Sequence, residues 1–226
     1  MGDVLYCVPA VKHLSNKHNS SCDFYIIGEF SGIKPLLKYQ DYIRNVAVPS
    51  GFEKGTLLPD NYHRLHDSIP KQYSYTYDLG ITVYPDRFLA DYFCHHYGIE
   101  PQALELEYPA SLNSTEYVSY DIKARNRYPS LMAKVESTIG IPFIDVGSKN
   151  VSTVEVPGIV QNSIGFIGVP SFPLAAASFV NSRKRVALVT PGFQVHHLRS
   201  GVNDMVVVME SDSEKYSESI CKFLAS

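Results

Sequence analysis

The run from Ile164 to Thr190, IGFIGVPSFPLAAASFVNSRKRVALVT, reads as strand, helix, strand. Ile164–Gly168 and Arg185–Thr190 are short apolar runs bounded by turn residues, the pattern of buried strands. Between them Pro173–Val180 is a helix of mostly small side chains. A strand, a crossover helix and a second strand make parallel neighbours, because only antiparallel strands can be joined by a tight turn. Such a unit requires a sheet with helices on its faces.

The same alternation extends in both directions. Downstream come a strand at Asp204–Met209 and a terminal helix at Ser213–Leu224. Upstream lie a short helix at Val156–Asn162, a strand at Ile141–Val146, a helix from Pro129 to Thr138 with Gly140 beyond it, and a strand at Glu116–Ile122. Five strands with four crossovers predict a doubly wound sheet, whose ligands bind at the carboxyl ends of the strands. The first half alternates too. Residues 3–17 read as a helix with Asp3 as its N-cap, an apolar stripe at Val4, Leu5, Val8, Val11 and Leu14, and a kink at Pro9. A strand at Cys22–Gly28, a helix from Ser31 to Ile43 and a strand at Asn45–Pro49 follow. Residues 50–76 read as loop with a short helix. A strand at Asp78–Tyr84 then leads to a helix from Asp86 to Tyr97 that Gly98 closes. Residues 99–115 carry Pro101 and Pro109 and suit a linker. The predicted architecture is α/β, two Rossmann-like lobes with mainly parallel sheets and a cleft between them, residues 1–108 and 109–226.

With 226 residues, 45% of them hydrophobic, the chain can bury a core without staples. Its apolar runs fall far short of the roughly 20 residues of a membrane helix. The basic-then-apolar start of a secretory signal is missing, so no transmembrane segment and a cytoplasmic address are expected. Cys7, Cys22, Cys94 and Cys221 have neither zinc nor disulfide-framework spacing and read as reduced thiols. A formal net charge of −3 argues against a general nucleic-acid surface.

Four loops after strands carry chemistry. Gly2-Asp3 sets a carboxylate at a helix start, which an ordinary cap would explain equally well. Lys123, Arg125 and Arg127 place three cations in five residues ahead of Pro129; together with helix-start amides they suit a phosphate or diphosphate, and a solvated charge run is the plainer alternative. Gly168 to Pro173, with Ser171, leads into the small-residue helix. Thr190-Pro191-Gly192 follows the next strand. His63 and His66, the pair His95-His96 and the pair His196-His197 are poor metal sets, since adjacent residues point to different sides of an element. No metal is assigned. Phosphate-loop, nucleophile-elbow and dinucleotide-turn motifs are missing.

Gly2-Asp3-Val4-Leu5, with Pro9-Ala10-Val11 and Leu14, resembles the glycine-aspartate helix opening of the ADP-heptose lipopolysaccharide heptosyltransferases, inverting two-lobed glycosyltransferases of the GT-B fold. Arg127-Tyr128-Pro129 is similar to that family's Lys-Arg-Trp-Pro segment. Phe166-Ile167-Gly168 through Pro173 to Ala177 is similar to its donor-binding strand and helix, and Arg185 to Gly192 to the strand and turn that come next. The resemblance implies sugar transfer from a nucleotide-sugar donor to a hydroxyl acceptor, without metal or cofactor. Asp3 would be the general base. Lys123, Arg125 and Arg127 would steady the leaving diphosphate, with Ser171, Thr190 and Gly192 beside the donor.

Some positions depart from that pattern. Pro170, Ser171, Phe172, Pro173 and Ala175 stand where the family carries its donor-site acid and histidine, and Asn126 where it carries a phosphate-contacting lysine. A catalytically degenerate relative that binds a nucleotide sugar or a partner is therefore the alternative. The family also has a strand ahead of its glycine-aspartate pair, so either the true start lies upstream of Met1 or the first sheet is rebuilt.

Overall fold

The computed structural model describes residues 1–53, 67–70, 72–79, 88–110, 115–180, 182–191, 202–210 and 214–226. The second half holds a five-stranded, wholly parallel sheet. Its strands are β3 (Val118–Tyr120), β4 (Phe143–Asp145), β5 (Gly165–Gly168), β6 (Lys184–Val189) and β7 (Asp204–Val208), in spatial order β4-β3-β5-β6-β7. The first half contributes a parallel pair, β1 (Cys22–Tyr25) and β2 (Ile43–Ala47). The α/β class with parallel sheets is as the alternation requires.

The helices are α1 (Gly2–Tyr6), α2 (Val8–His18), α3 (Lys34–Leu37), α4 (Leu89–His96), α5 (Ile122–Arg127), α6 (Pro129–Ile139), α7 (Val156–Asn162), α8 (Phe172–Ser178) and α9 (Ser217–Ala225). Gly98 and Gly140 follow α4 and α6 with φ of 64° and 72°, the left-handed conformation that glycine adopts without a Cβ penalty.

Several expectations need correction. Residues 3–17 form two helices rather than one. Pro9 has no N–H to return to the Leu5 carbonyl, so the chain breaks at Cys7 and restarts with Pro9 in the first turn of α2. Met1, not Asp3, holds the capping position, and Asp3 lies inside the first turn. The expected helix from Ser31 to Ile43 shrinks to a 3-10 turn at Gly28–Ile33 followed by α3, and Ile43 opens β2. Gln40 ends this segment: its buried carboxamide donates to the Leu36 and Glu107 carbonyls at 3.0 and 2.8 Å and accepts from Glu107 N–H at 3.0 Å. A carboxamide that serves a neighbouring segment fixes a turn where periodicity suggested more helix. The cationic run is not a loop either, since residues 122–127 are α5. The terminal helix starts at Ser217 after a 3-10 turn, Glu214–Tyr216. In the expected strand Asp78–Tyr84, Asp78 and Leu79 are not in a strand, and the rest lies outside the described residues.

Two apolar clusters cover the two faces of the large sheet. On one face, Phe166, Ala187 and Val189 pack with α7 and α8, and this cluster continues without a break into α1, α2 and α4. On the other, Val118, Ile167 and Val186 pack under α6 and α9 through Leu131, Val135, Ile220 and Leu224. Helix α8 is buried at every position. Its alanines admit both the sheet below and α1 above, so the first half docks through close backbone approach. The four cysteines form no disulfide with one another. Among the described residues, no helix is long and apolar enough to cross a membrane.

Candidate active site

In the order β4-β3-β5-β6-β7 the chain leaves β3 toward β4 and then returns to the other side of β3 as β5. The crevice of an open parallel sheet lies at that reversal, at the carboxyl ends of the strands. Those ends are Tyr120-Asp121 and Gly168-Val169-Pro170-Ser171.

Asp121 is buried and caps α5: its Oδ1 accepts from Lys123 N–H at 3.0 Å. Its Oδ2 accepts from Ser171 Oγ at 2.6 Å. The Val169 carbonyl is 2.8 Å from the same hydroxyl, but a single proton goes preferentially to the ionised acceptor. Asp145, at the end of β4, accepts from Ile122 N–H at 3.1 Å and Gly147 N–H at 2.7 Å through one oxygen, Oδ1. Gly147 sits so close that a Cβ there would fall 2.5 Å from Asp121 Oδ1. Two carboxylates thus lace the ends of β3, β4 and β5 together.

The amides of Ile122 and Lys123 are consumed by Asp145 and Asp121, and that of Ala124 donates to the Asp121 carbonyl at 2.8 Å. The start of α5 is therefore no open anion receptor, and any phosphate contact at that helix start falls to side chains. Lys123 and Arg127, four apart on one face of the helix, are both exposed. Arg125 is committed elsewhere. Its guanidinium lies 4.5 Å from the Tyr120 ring centroid and pairs with Glu136 Oε2 at 2.7 Å.

The first half meets this edge directly. A Cβ on Gly2 would lie 3.3 Å from the Ser171 carbonyl and 3.4 Å from the Ala175 Cβ, so α1 rests its first turn on the first turn of α8. Thr153 Oγ1 donates to the Gly32 carbonyl at 2.7 Å from the same side. The Met1 amino group, its proton affinity lowered first by burial, is acted on by the carboxylates of Asp3 and Glu29 and by the Lys123 ammonium. The first turn of α1, which holds Asp3, therefore lies against Ser171 where the two halves meet. Thr190 is exposed directly after β6, on the same edge of the sheet, while Gly192 lies outside the described residues.

Asp121, Asp145 and Glu29 escaped the sequence reading. Asp121 had a signal, an aspartate between a strand and a helix, which is a capping position. His63, His66, His196 and His197 lie outside the described residues. Among those described, no group of three His, Cys, Asp or Glu side chains could hold a metal.

A five-stranded parallel sheet joined through α1 and α8 to a smaller parallel one is the fold of the GT-B glycosyltransferases. Two solved structures share it with this chain. The E. coli heptosyltransferase WaaC with ADP superposes with a TM-score of 0.65 at 10% identity, covering 100% of this chain and 96% of that one. The glycosyl transferase family 9 protein from Veillonella parvula DSM 2008 gives 0.60 at 12% identity, covering 98% and 86%. No family model matches the sequence, and no curated protein matches it either.

Proposed function

We propose that the chain is an inverting, metal-independent glycosyltransferase that moves a sugar from a nucleotide-sugar donor to a hydroxyl acceptor. Residues 109–226 hold the donor and residues 1–108 the acceptor. The observation that carries this reading is the seating of the Gly2-Asp3 turn on Ser171 and Ala175, in a chain whose whole length has the fold of a heptosyltransferase seen with ADP.

In this reading Asp3 takes the proton of the acceptor hydroxyl. The acceptor oxygen bonds the anomeric carbon from the face opposite the diphosphate, whose own bond to that carbon breaks and leaves its electron pair on phosphate oxygen. Lys123 and Arg127 offset the charge growing there, and such stabilisation is commonly the largest catalytic contribution. Arg125 acts at one remove, by holding Tyr120 and α6 in place. Ser171, its proton committed to Asp121, faces the donor with lone pairs, and Thr190 and Gly192 border the same edge. Asp121 positions Ser171 and the first turn of α5 together.

Calorimetric titration with ADP, UDP, GDP and their sugar conjugates tests the donor side. Binding of one of them, weakened when Lys123 and Arg127 are both changed to Ala, is the expected result. Asp3→Asn should then leave binding intact and lower transfer or donor hydrolysis by about 10²–10⁴-fold. Unchanged turnover would remove Asp3 from the reaction. A nucleotide-sugar binder without transfer is the second reading. It is favoured by the self-capped start of α5, where two carboxylates already hold the amides of Ile122 and Lys123. Tight nucleotide binding with no turnover in the native protein would select it.

A further inference from the structure

Helix α1 is five residues long and ends at Cys7, where the chain breaks before α2. A helix this short has no stability of its own and takes its direction from what it packs against. That support is α8. Gly2 meets Ser171 and Ala175, and one turn further on Tyr6 meets Ser178 and Phe179. The two helices therefore run side by side in the same direction, with Gly2 and Asp3 at the end where Ser171 opens α8.

Tyr6 is the residue that indexes one helix to the other. It is fully buried, and its ring lies between two others, edge-on to Phe88 at 5.3 Å and stacked on Phe179 at 6.2 Å between centroids. Phe88 stands at the head of α4 in the first half and Phe179 at the end of α8 in the second. Aromatic rings at these separations hold preferred angles rather than slide freely. The Tyr6 hydroxyl is 3.5 Å from Ser178 Oγ, at the outer limit of a hydrogen bond, and that serine donates to the Ala175 carbonyl at 2.6 Å. The ring thus carries the contact more than the hydroxyl does. Asp3 precedes Tyr6 by three residues, on a neighbouring position of the same short helix, so any shift of Tyr6 on α8 carries Asp3 with it.

We propose, on the reading of Asp3 as the base, that Tyr6 is a positioning residue for the transfer. Wedged between Phe88 and Phe179, it fixes α1 on α8 and keeps the turn that holds Asp3 against Ser171. Tyr6 touches neither donor nor acceptor, and its whole effect on turnover passes through Asp3.

The full chain is assayed for hydrolysis of ADP-, UDP- and GDP-linked hexoses and heptoses, with nucleotide affinity measured alongside by calorimetry. Tyr6→Leu keeps an apolar side chain and removes the ring. It should lower turnover by about 10²-fold, the order expected for a catalytic group misplaced by about 1 Å, and leave the nucleotide Kd within about twofold. Tyr6→Phe keeps the ring and should restore most of what Tyr6→Leu loses. In the Asp3→Asn background, adding Tyr6→Leu should change turnover by less than about threefold, because residues that act as one unit are not additive. The same loss in both backgrounds, full turnover in Tyr6→Leu, or Tyr6→Phe as impaired as Tyr6→Leu would each overturn the proposal. So would an equal loss of nucleotide affinity, which marks general damage to the fold. Failure of the transfer reading looks different: the native protein itself turns over none of the conjugates, and the role of Tyr6 falls with that of Asp3.

Discussion

Ser171 Oγ donates to Asp121 Oδ2 at 2.6 Å and so ties the end of β5 to the end of β3, fifty residues apart in the chain. The bond crosses the reversal in strand order, where a parallel sheet opens its crevice. Ser171→Ala deprives a buried carboxylate of a partner. Urea unfolding should show a loss of about 1.5–3 kcal/mol, the range for a hydrogen bond to a charged group. A variant as stable as the native chain would mean that Asp121 finds another donor at no cost.

Gly147 tests the same lattice from the other side. A Cβ at this position meets Asp121 Oδ1 at 2.5 Å and Ile122 N at 3.2 Å. Gly147→Ala must push the capping carboxylate aside, and overpacking of this kind costs about 1–3 kcal/mol. If the reading of the donor side is right, nucleotide affinity falls along with stability, because Lys123 moves with α5. Calorimetry at a temperature where both proteins are folded separates the two effects.

Arg185 and Asp204 form an ion pair at 2.6 Å between β6 and β7, with both side chains more than nine-tenths buried. The guanidinium also reaches the Val180 carbonyl at 3.0 Å, at the end of α8. Burial raises the Asp204 carboxyl above its usual range, and the Arg185 hydrogen bond opposes that rise. Removing either partner strands the other charge in the interior. Arg185→Met and Asp204→Leu should each cost about 3–5 kcal/mol, with the double variant far less damaged than the sum, since a buried pair replaced by apolar groups is often close to neutral. Additive losses in denaturant unfolding would show that the two charges are not coupled.

Asp23 supplies a pH dependence. Arg44 binds both of its oxygens at 2.8 Å and Tyr73 donates to one of them, and these bonds, Arg44 first, hold its carboxyl below the ordinary value. A folded-state pKa depressed below the unfolded value of about 3.9 stabilises the protein above that value and ceases to do so as pH falls through the folded one. Arg44→Gln should therefore lower the urea midpoint at pH 6 and leave it nearly unchanged at pH 3, shrinking the difference between the two, and the loss is small because exposed Arg44 pairs weakly in water. An equal shift at all pH values would point to lost packing instead of lost linkage.

Most of the large sheet was legible in the sequence because its strands are short apolar runs and its helices α6, α7 and α8 carry proline in the first turn. Val156–Asn162 falls where periodicity puts it, and Gly140 ends α6 as its conformational freedom suggests. Misreadings cluster where a side chain serves a distant segment. Gln40 ends its turn by binding Glu107, and Arg125 turns from the cleft to Glu136. Local pattern carries no trace of either partner.

The sequence by itself determined the elements and their class, since the spacing of apolar residues and the placement of Gly and Pro are local properties that every alternating α/β chain must satisfy. It also put Asp3, Lys123, Arg127, Ser171 and Thr190 beside strand ends or helix starts. Only the tertiary structure decided which of them meet. Asp121 and Ser171 become neighbours because β5 returns to the opposite side of β3 from β4, and Gly2 reaches Ser171 because neither it nor the alanines of α8 carry side chains that would hold the helices apart. The strand order and the closeness of two backbones are properties of packing across the whole chain, and no window of sequence contains them.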